Sequence, residues 1–253
     1  MLLIFRFLSF LLLGTLICLV GSLCCLVRPR DPQHVARFGH LLGRLAPLLG
    51  LRVICRFPSH VERFGQAVYI GNHQNNYDMF TISCMVPPHT VTIGKQSLIW
   101  IPIFGPLYWL SGNILLNRRK QSQAYSTITE VVRQLQTSRR SVWMFPEGTR
   151  TRGRGLMPFK KGAFHTAIAA GVPIIPICAS NLHRKVHWNR WHNGSVIIEM
   201  LAPIATEGYG KHQARELADY CYQLMQAKIT QLEAEVAQRD SAVLLKSTSR
   251  ENV

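Results

Sequence analysis

His73 stands five residues before Asp78 in the stretch YIGNHQNNYDMF, Tyr69–Phe80, with only neutral side chains between them. A carboxylate that accepts from one imidazole nitrogen fixes the tautomer and stabilises the charged ring, and the other nitrogen can then remove a proton. No serine or cysteine lies in the gap, and no GxSxG occurs elsewhere. A base without a protein nucleophile suits a substrate that brings its own hydroxyl. Residues five apart on a helix diverge by about 140°. The pair can therefore meet only if His73 sits in a loop and Asp78 projects back from the first turn of the next element. The plainer alternative is a capping histidine beside a helix-start aspartate.

A second stretch, FPEGTRTRGRG, Phe145–Gly155, gathers glycines, a proline and arginines behind an apolar run. Arg150 can hold a phosphate through two donors, and Gly148 allows close backbone approach. Glu147 would repel a phosphate unless it holds a neighbouring arginine in place. The loop is not a GxxxxGK[ST] nucleotide motif. Arg118, with Arg119 and Lys120 after it, offers another basic contact behind an apolar run.

The elements that must position these residues are short apolar runs alternating with helical patterns. Strands are expected at Leu51–Phe57, Ala67–Gly71, Thr90–Gly94, Asn113–Leu116, Ser141–Phe145, Ile174–Cys178 and Val196–Leu201. Helices are expected at Met79–Met85, Gln96–Trp109, Gln121–Gln136, Gly162–Ala170 and His212–Gln238. Such alternation predicts an α/β domain with a mostly parallel sheet covered by helices. In open sheets of this kind ligands gather beyond the carboxyl ends of the strands. His73–Asp78, Asn117–Arg118 and Phe145–Arg150 all come at strand ends. The apolar segment Leu98–Gly112 reads either as core or as the wall of an acyl-chain site.

The N-terminus is of another kind. Arg6 is the only charge in Met1–Val27, and Phe7 to Val27 is long enough for a bilayer core. Arg28, Arg30, Arg37 and Arg44 come next, which places that flank in the cytoplasm. His34–Leu51 reads as a second helix, facing either the core or the membrane interface. The expected organisation is a membrane-associated helical segment over 1–50, an α/β domain over 51–239 and a polar, frayed tail over 240–253.

The 253 residues carry a net charge of +16, with 47% hydrophobic and 17% charged residues. That composition excludes a disordered chain and asks for an acidic partner. Beside an apolar anchor, anionic membrane lipid fits better than nucleic acid, for which no recognition motif is present. Seven scattered cysteines lack metal-site spacing and read as reduced, buried thiols.

Four ordered stretches together carry a resemblance. They are His73-Gln-Asn-Asn-Tyr-Asp78, Gly112-Asn-Ile-Leu-Leu-Asn-Arg118, Phe145-Pro-Glu-Gly-Thr-Arg150 and Val172-Pro-Ile-Ile-Pro176. In this order the chain resembles the HxxxxD glycerolipid acyltransferases, most closely the bacterial 1-acyl-sn-glycerol-3-phosphate acyltransferases, over nearly its whole length. The resemblance implies an enzyme of phospholipid biosynthesis at the cytoplasmic face of the inner membrane. It would move an acyl group from acyl carrier protein or coenzyme A to the sn-2 hydroxyl of lysophosphatidic acid, giving phosphatidic acid. His73 and Asp78 would be catalytic. Arg118, Glu147, Gly148, Thr149 and Arg150 would bind the acceptor phosphate, and Pro173 would bind the acyl donor or shape the site. No cofactor or metal is implied. Asn117 departs from the aspartate more usual there. Other readings are the same chemistry on glycerol 3-phosphate or another lysophospholipid, and a non-catalytic membrane lipid-binding protein.

Overall fold

The computed structural model describes residues 1–59, 64–116, 121–138 and 140–251. Its sheet has seven strands: β1 Arg52–Arg56, β2 Val68–Gly71, β3 Thr90–Lys95, β4 Ile114–Leu116, β5 Ser141–Met144, β6 Ile174–Ala179 and β7 Ser195–Met200, in the order β1-β7-β6-β2-β5-β3-β4. Every neighbouring pair is parallel except β6 and β7. All seven expected strands form, within a residue or two at each end. The central strands read VYIG and IIPICA and are buried throughout. β-branched runs without polar alternation are what a sheet covered on both faces requires.

Among the described residues, six α-helices accompany it: α1 Leu2–Val27, α2 His34–Gly43, α3 Phe104–Leu110, α4 Gln121–Ser138, α5 Gly162–Ala170 and α6 Ala214–Glu251. α5 packs on β2 and against α4 and α6, while α6 covers β6 and β7. Trp143, Phe164, Ile70, Ile175, Ile177 and Ile197 are fully buried between them.

Four expectations need correction. His34–Leu51 is not one helix. α2 ends at Gly43, and a 3₁₀ turn at Ala46–Leu49, opened by Pro47, stops at Gly50 in the left-handed region (φ 68°). Gln96–Trp109 also divides, into a 3₁₀ turn Gln96–Trp100 and α3. Pro102 forces the preceding Ile101 into extended backbone, which ends the first turn. Met79–Met85 is replaced by 3₁₀ turns at Asn76–Phe80 and Ile82–Met85. The tail beyond Asp240 continues as α6 to Glu251. Asp240 is not frayed, for its carboxylate accepts from Ser195 N at 3.0 Å and lies 3.6 Å from Lys185 Nζ.

α1 is docked at both ends. Arg6, Cys18, Gly21 and Cys25 are buried against the domain. A Cβ on Gly21 would lie 2.8 Å from Leu107 and 3.0 Å from the Phe38 ring, so glycine is what lets α1 approach α2 and α3. The opposite face exposes Leu12, Leu16, Leu23 and Leu26, each by more than half. Leu98–Gly112 is not plain core either, for Trp100, Ile101, Ile103 and Trp109 are exposed.

Candidate active site

β2 and β5 are parallel neighbours in the register Val68↔Val142 to Ile70↔Met144. Their carboxyl ends therefore release His73 and Phe145–Arg150 side by side. Thr151 N donates to His73 O at 2.8 Å and Arg152 N to Gln74 O at 3.0 Å, so the two loops stay paired beyond the sheet.

Asp78, buried to 6% exposure, receives His73 Nδ1 on Oδ2 at 2.6 Å. The same oxygen accepts Gln74 N at 2.7 Å and Asn75 N at 3.1 Å. Asn75 Oδ1 in turn accepts Tyr77 N, which caps the turn carrying Asp78. The pair meets across the loop-to-turn junction that the spacing requires. With Nδ1 held by the carboxylate, Nε2 is the nitrogen left to take a proton. The His73 ring stacks on Phe145, centroids 4.2 Å apart, which fixes its plane.

Glu147 is 2% exposed. Oε1 accepts His73 N at 2.7 Å and Oε2 accepts Met157 N at 2.8 Å. Burial, with Asp78 nearby, pushes its carboxyl up to about 7 against the pull of the two backbone donors and Arg154. Each oxygen is engaged by a backbone N–H, so the Glu147 carboxylate joins the two loops. Gly148 takes φ 68°, and its N–H closes the turn on Phe145 O at 3.0 Å. Thr149 is exposed beside it. Arg150 lines an open depression of about 330 Å³ with Asn75, Asn76, Arg152 and His183. Its Nε is buried and has no hydrogen-bond partner. A donor left so is costly without an acceptor, and the residue that carries it borders the depression.

One expected residue lies away from this cleft and one call falls on residues that the structure does not describe. Pro173 sits just before β6 and accepts Val68 N at 3.0 Å at the amino edge of the sheet. Parallel pairing of β6 with β2 puts it a strand's length from His73. Arg118, with Asn117, lies outside the described residues.

The first residues after β2 also brace the cleft in ways that their types did not announce. The Asn72 amide donates to Ala179 O at 2.9 Å and accepts Ala179 N at 2.8 Å, continuing the β2–β6 pairing with a side chain. Gln74 donates to Ser180 O at 2.8 Å and accepts Leu182 N at 2.7 Å. Buried amides flanking a histidine at a strand end were the available signal.

The family model described as "Acyltransferase" matches residues 52–180, the span that contains β1 to β6, His73, Asp78 and Phe145–Arg150. This chain belongs to the acyltransferase family. It is 58% identical to the 1-acyl-sn-glycerol-3-phosphate acyltransferase of Escherichia coli strain K12, over 96% of this chain and 99% of that protein. It is 50% identical to the protein of that name from Haemophilus influenzae, over 94% and 99%. The crystal structure of the 1-acyl-sn-glycerophosphate (LPA) acyltransferase from Thermotoga maritima superposes with a TM-score of 0.72 at 22% identity, covering 92% of this chain and 95% of that one. That likeness shows a shared fold. In this acyltransferase the sheet ends thus place a His–Asp pair beside an arginine-lined depression.

Proposed function

We propose that the chain transfers an acyl group from an acyl thioester to the sn-2 hydroxyl of 1-acyl-sn-glycerol 3-phosphate, giving phosphatidic acid. The observation that carries this is His73 Nδ1 bonded to Asp78 next to the unpartnered Arg150 Nε, together with two relatives of this name at 50% identity or more.

His73 Nε2 takes the acceptor hydroxyl proton as the oxygen attacks the thioester carbonyl. The new C–O bond forms, the C–S bond breaks, and the thiolate leaves with the proton from the imidazolium. Asp78 stabilises that imidazolium and keeps Nε2 aimed outward. Arg150, with Arg152 beside it and Arg118 by the resemblance, holds the acceptor phosphate; Thr149 and the backbone at Gly148 border it. Glu147 positions His73 by holding its backbone N–H. The donor is an acyl thioester of acyl carrier protein or coenzyme A. No cofactor takes part.

α1 packs on α3, and each exposes apolar side chains, Leu12, Leu16, Leu23 and Leu26 on α1 and Trp109 on α3. α1 touches the domain near both ends. We read it as lying in the membrane interface rather than leading away from the domain, with Arg28, Arg30, Arg37 and Arg44 toward anionic headgroups on the cytoplasmic side.

The test is acyl transfer from labelled acyl thioesters to lysophosphatidic acid in detergent, for the native chain and His73→Ala, with each donor in turn. Labelled phosphatidic acid from the native chain alone supports the reading. Equal activity in both proteins removes His73 as the base. Transfer only to glycerol 3-phosphate or another lysolipid removes the acceptor.

A further inference from the structure

Arg6 is the one charged residue of α1. At the end of an apolar helix an arginine has an ordinary place in water or among headgroups. Here it is 3% exposed and turned into the domain. Nη1 donates to His187 O at 3.2 Å and Trp188 O at 3.0 Å, and Nη2 donates to Trp191 O at 3.0 Å. A buried cation is tolerated when its donors are satisfied, and the 187–193 loop is shaped to satisfy them. Gly50, at φ 68°, leaves the room: a Cβ there would fall 2.4 Å from Trp191 O and 2.8 Å from Arg6 Nη2. Asn193 Nδ2 ties the same loop to Leu49 O at 2.6 Å and His187 O at 3.0 Å.

The loop leads to the catalytic turn. Trp188, whose carbonyl Arg6 holds, donates Nε1 to Tyr77 OH at 3.0 Å. Tyr77 immediately precedes Asp78 in the turn Asn76–Phe80. One turn beyond Arg6, Phe10 sits edge-on to Phe80 (4.9 Å) and to Trp188 (5.6 Å). The apolar helix therefore grips the turn that carries Asp78 both directly and through Trp188.

We propose that Arg6 is a positioning residue for the His73–Asp78 pair, acting through Trp188 and Tyr77, so that seating of α1 against the domain sets the catalytic geometry. The proposal rests on His73 being the base. It separates α1 from a passive tether, which would have no use for a cation buried in the domain it tethers.

The test uses the full chain in detergent micelles and on vesicles of phosphatidylethanolamine and phosphatidylglycerol. Arg6→Gln, Arg6→Lys, Trp188→Phe, Tyr77→Phe and the Arg6→Gln/Trp188→Phe double variant are compared, with His73→Ala alongside. Arg6→Gln is expected to lower kcat about tenfold or more in detergent, as small displacements of reacting groups do. KM for lysophosphatidic acid and vesicle co-sedimentation should stay within about twofold, Arg6→Lys should recover part of kcat, and the double variant should be no worse than its weaker parent, as for residues acting in one chain. Unchanged kcat in Arg6→Gln overturns the proposal. So does a loss confined to vesicles and restored by detergent, which would make Arg6 an anchor only. Multiplying losses in the double variant overturn the relay. Should Arg6→Gln not fold, Trp188→Phe and Tyr77→Phe each remove one polar group, and native kcat in both overturns it. Activity retained in His73→Ala would sink the base assignment itself, whereas an inactive His73→Ala beside a native-like Arg6→Gln sinks only this proposal.

Discussion

Asp78 Oδ2 accepts His73 Nδ1 at 2.6 Å while the same oxygen holds the backbone N–H groups of Gln74 and Asn75. One oxygen thus fixes the imidazole, its tautomer and the loop that carries it. Asp78→Asn loses the negative charge and cannot present a full acceptor to all three donors. A loss in kcat of about 10²-fold or more is expected, and about 10²- to 10⁴-fold for His73→Ala. The double variant should be no worse than His73→Ala, since the two act as a unit. Steady-state kinetics on lysophosphatidic acid check this.

The Glu147 carboxyl is raised to about 7 by burial. A carboxyl whose folded pKa exceeds its unfolded value contributes stability that is present below about 4.5 and lost as pH rises through about 7. Glu147→Gln cannot ionise, but its NH₂ must face His73 N or Met157 N, which costs about 1–3 kcal/mol for the donor left unpaired. The native chain should therefore hold its largest stability advantage over Glu147→Gln below about pH 4.5, shrinking as pH rises to about 7. Thermal denaturation at a series of pH values reads this out, and a margin that widened with pH would contradict the buried, proton-retaining carboxyl.

Arg150 lines the depression, and its Nε is buried without a partner. A hydrogen bond to a charged group is worth about 1.5–3 kcal/mol. Arg150→Ala should lower kcat/KM for lysophosphatidic acid about 10- to 100-fold, most of it in KM, and Arg150→Lys should recover only part. With monoacylglycerol as acceptor the three proteins should be nearly equal. A uniform loss on both acceptors would make Arg150 structural.

Gly50 and Gly171 have nearly the same backbone, φ 68° and 66°, but different surroundings. A Cβ at Gly171 meets nothing within 4 Å, whereas at Gly50 it would collide with Trp191 O. Gly171→Ala should cost about 1 kcal/mol, the left-handed strain alone. Gly50→Ala should cost more and, by dislodging the 187–193 loop, lower kcat as well. Equal melting temperatures for the two variants would show that the loop yields without cost.

The seven strands were legible because β-branched apolar runs bounded by turn residues admit few other structures, and α5 because its helical pattern ends at Gly171. The helices that failed did so at prolines and at competing side chains. Pro47 and Pro102 broke two periodic stretches, and Asp78 and Asn75, bonding to nearby backbone N–H groups, made short 3₁₀ turns where apolar spacing suggested a helix.

Residue type and local spacing were enough to define the chemistry available: a histidine and an aspartate that only a loop-to-turn junction can bring together, arginines behind a strand, and an apolar N-terminal helix with one charge. Which groups share the cleft depended on long-range packing. Parallel register set Phe145–Arg150 beside His73 and sent Pro173 to the far edge. Burial set Glu147 between two backbone N–H groups, those of His73 and Met157, which no local pattern specifies. The contact of Arg6 with residues more than 180 positions away arises from docking alone, for no local pattern encodes which carbonyls a distant loop will present.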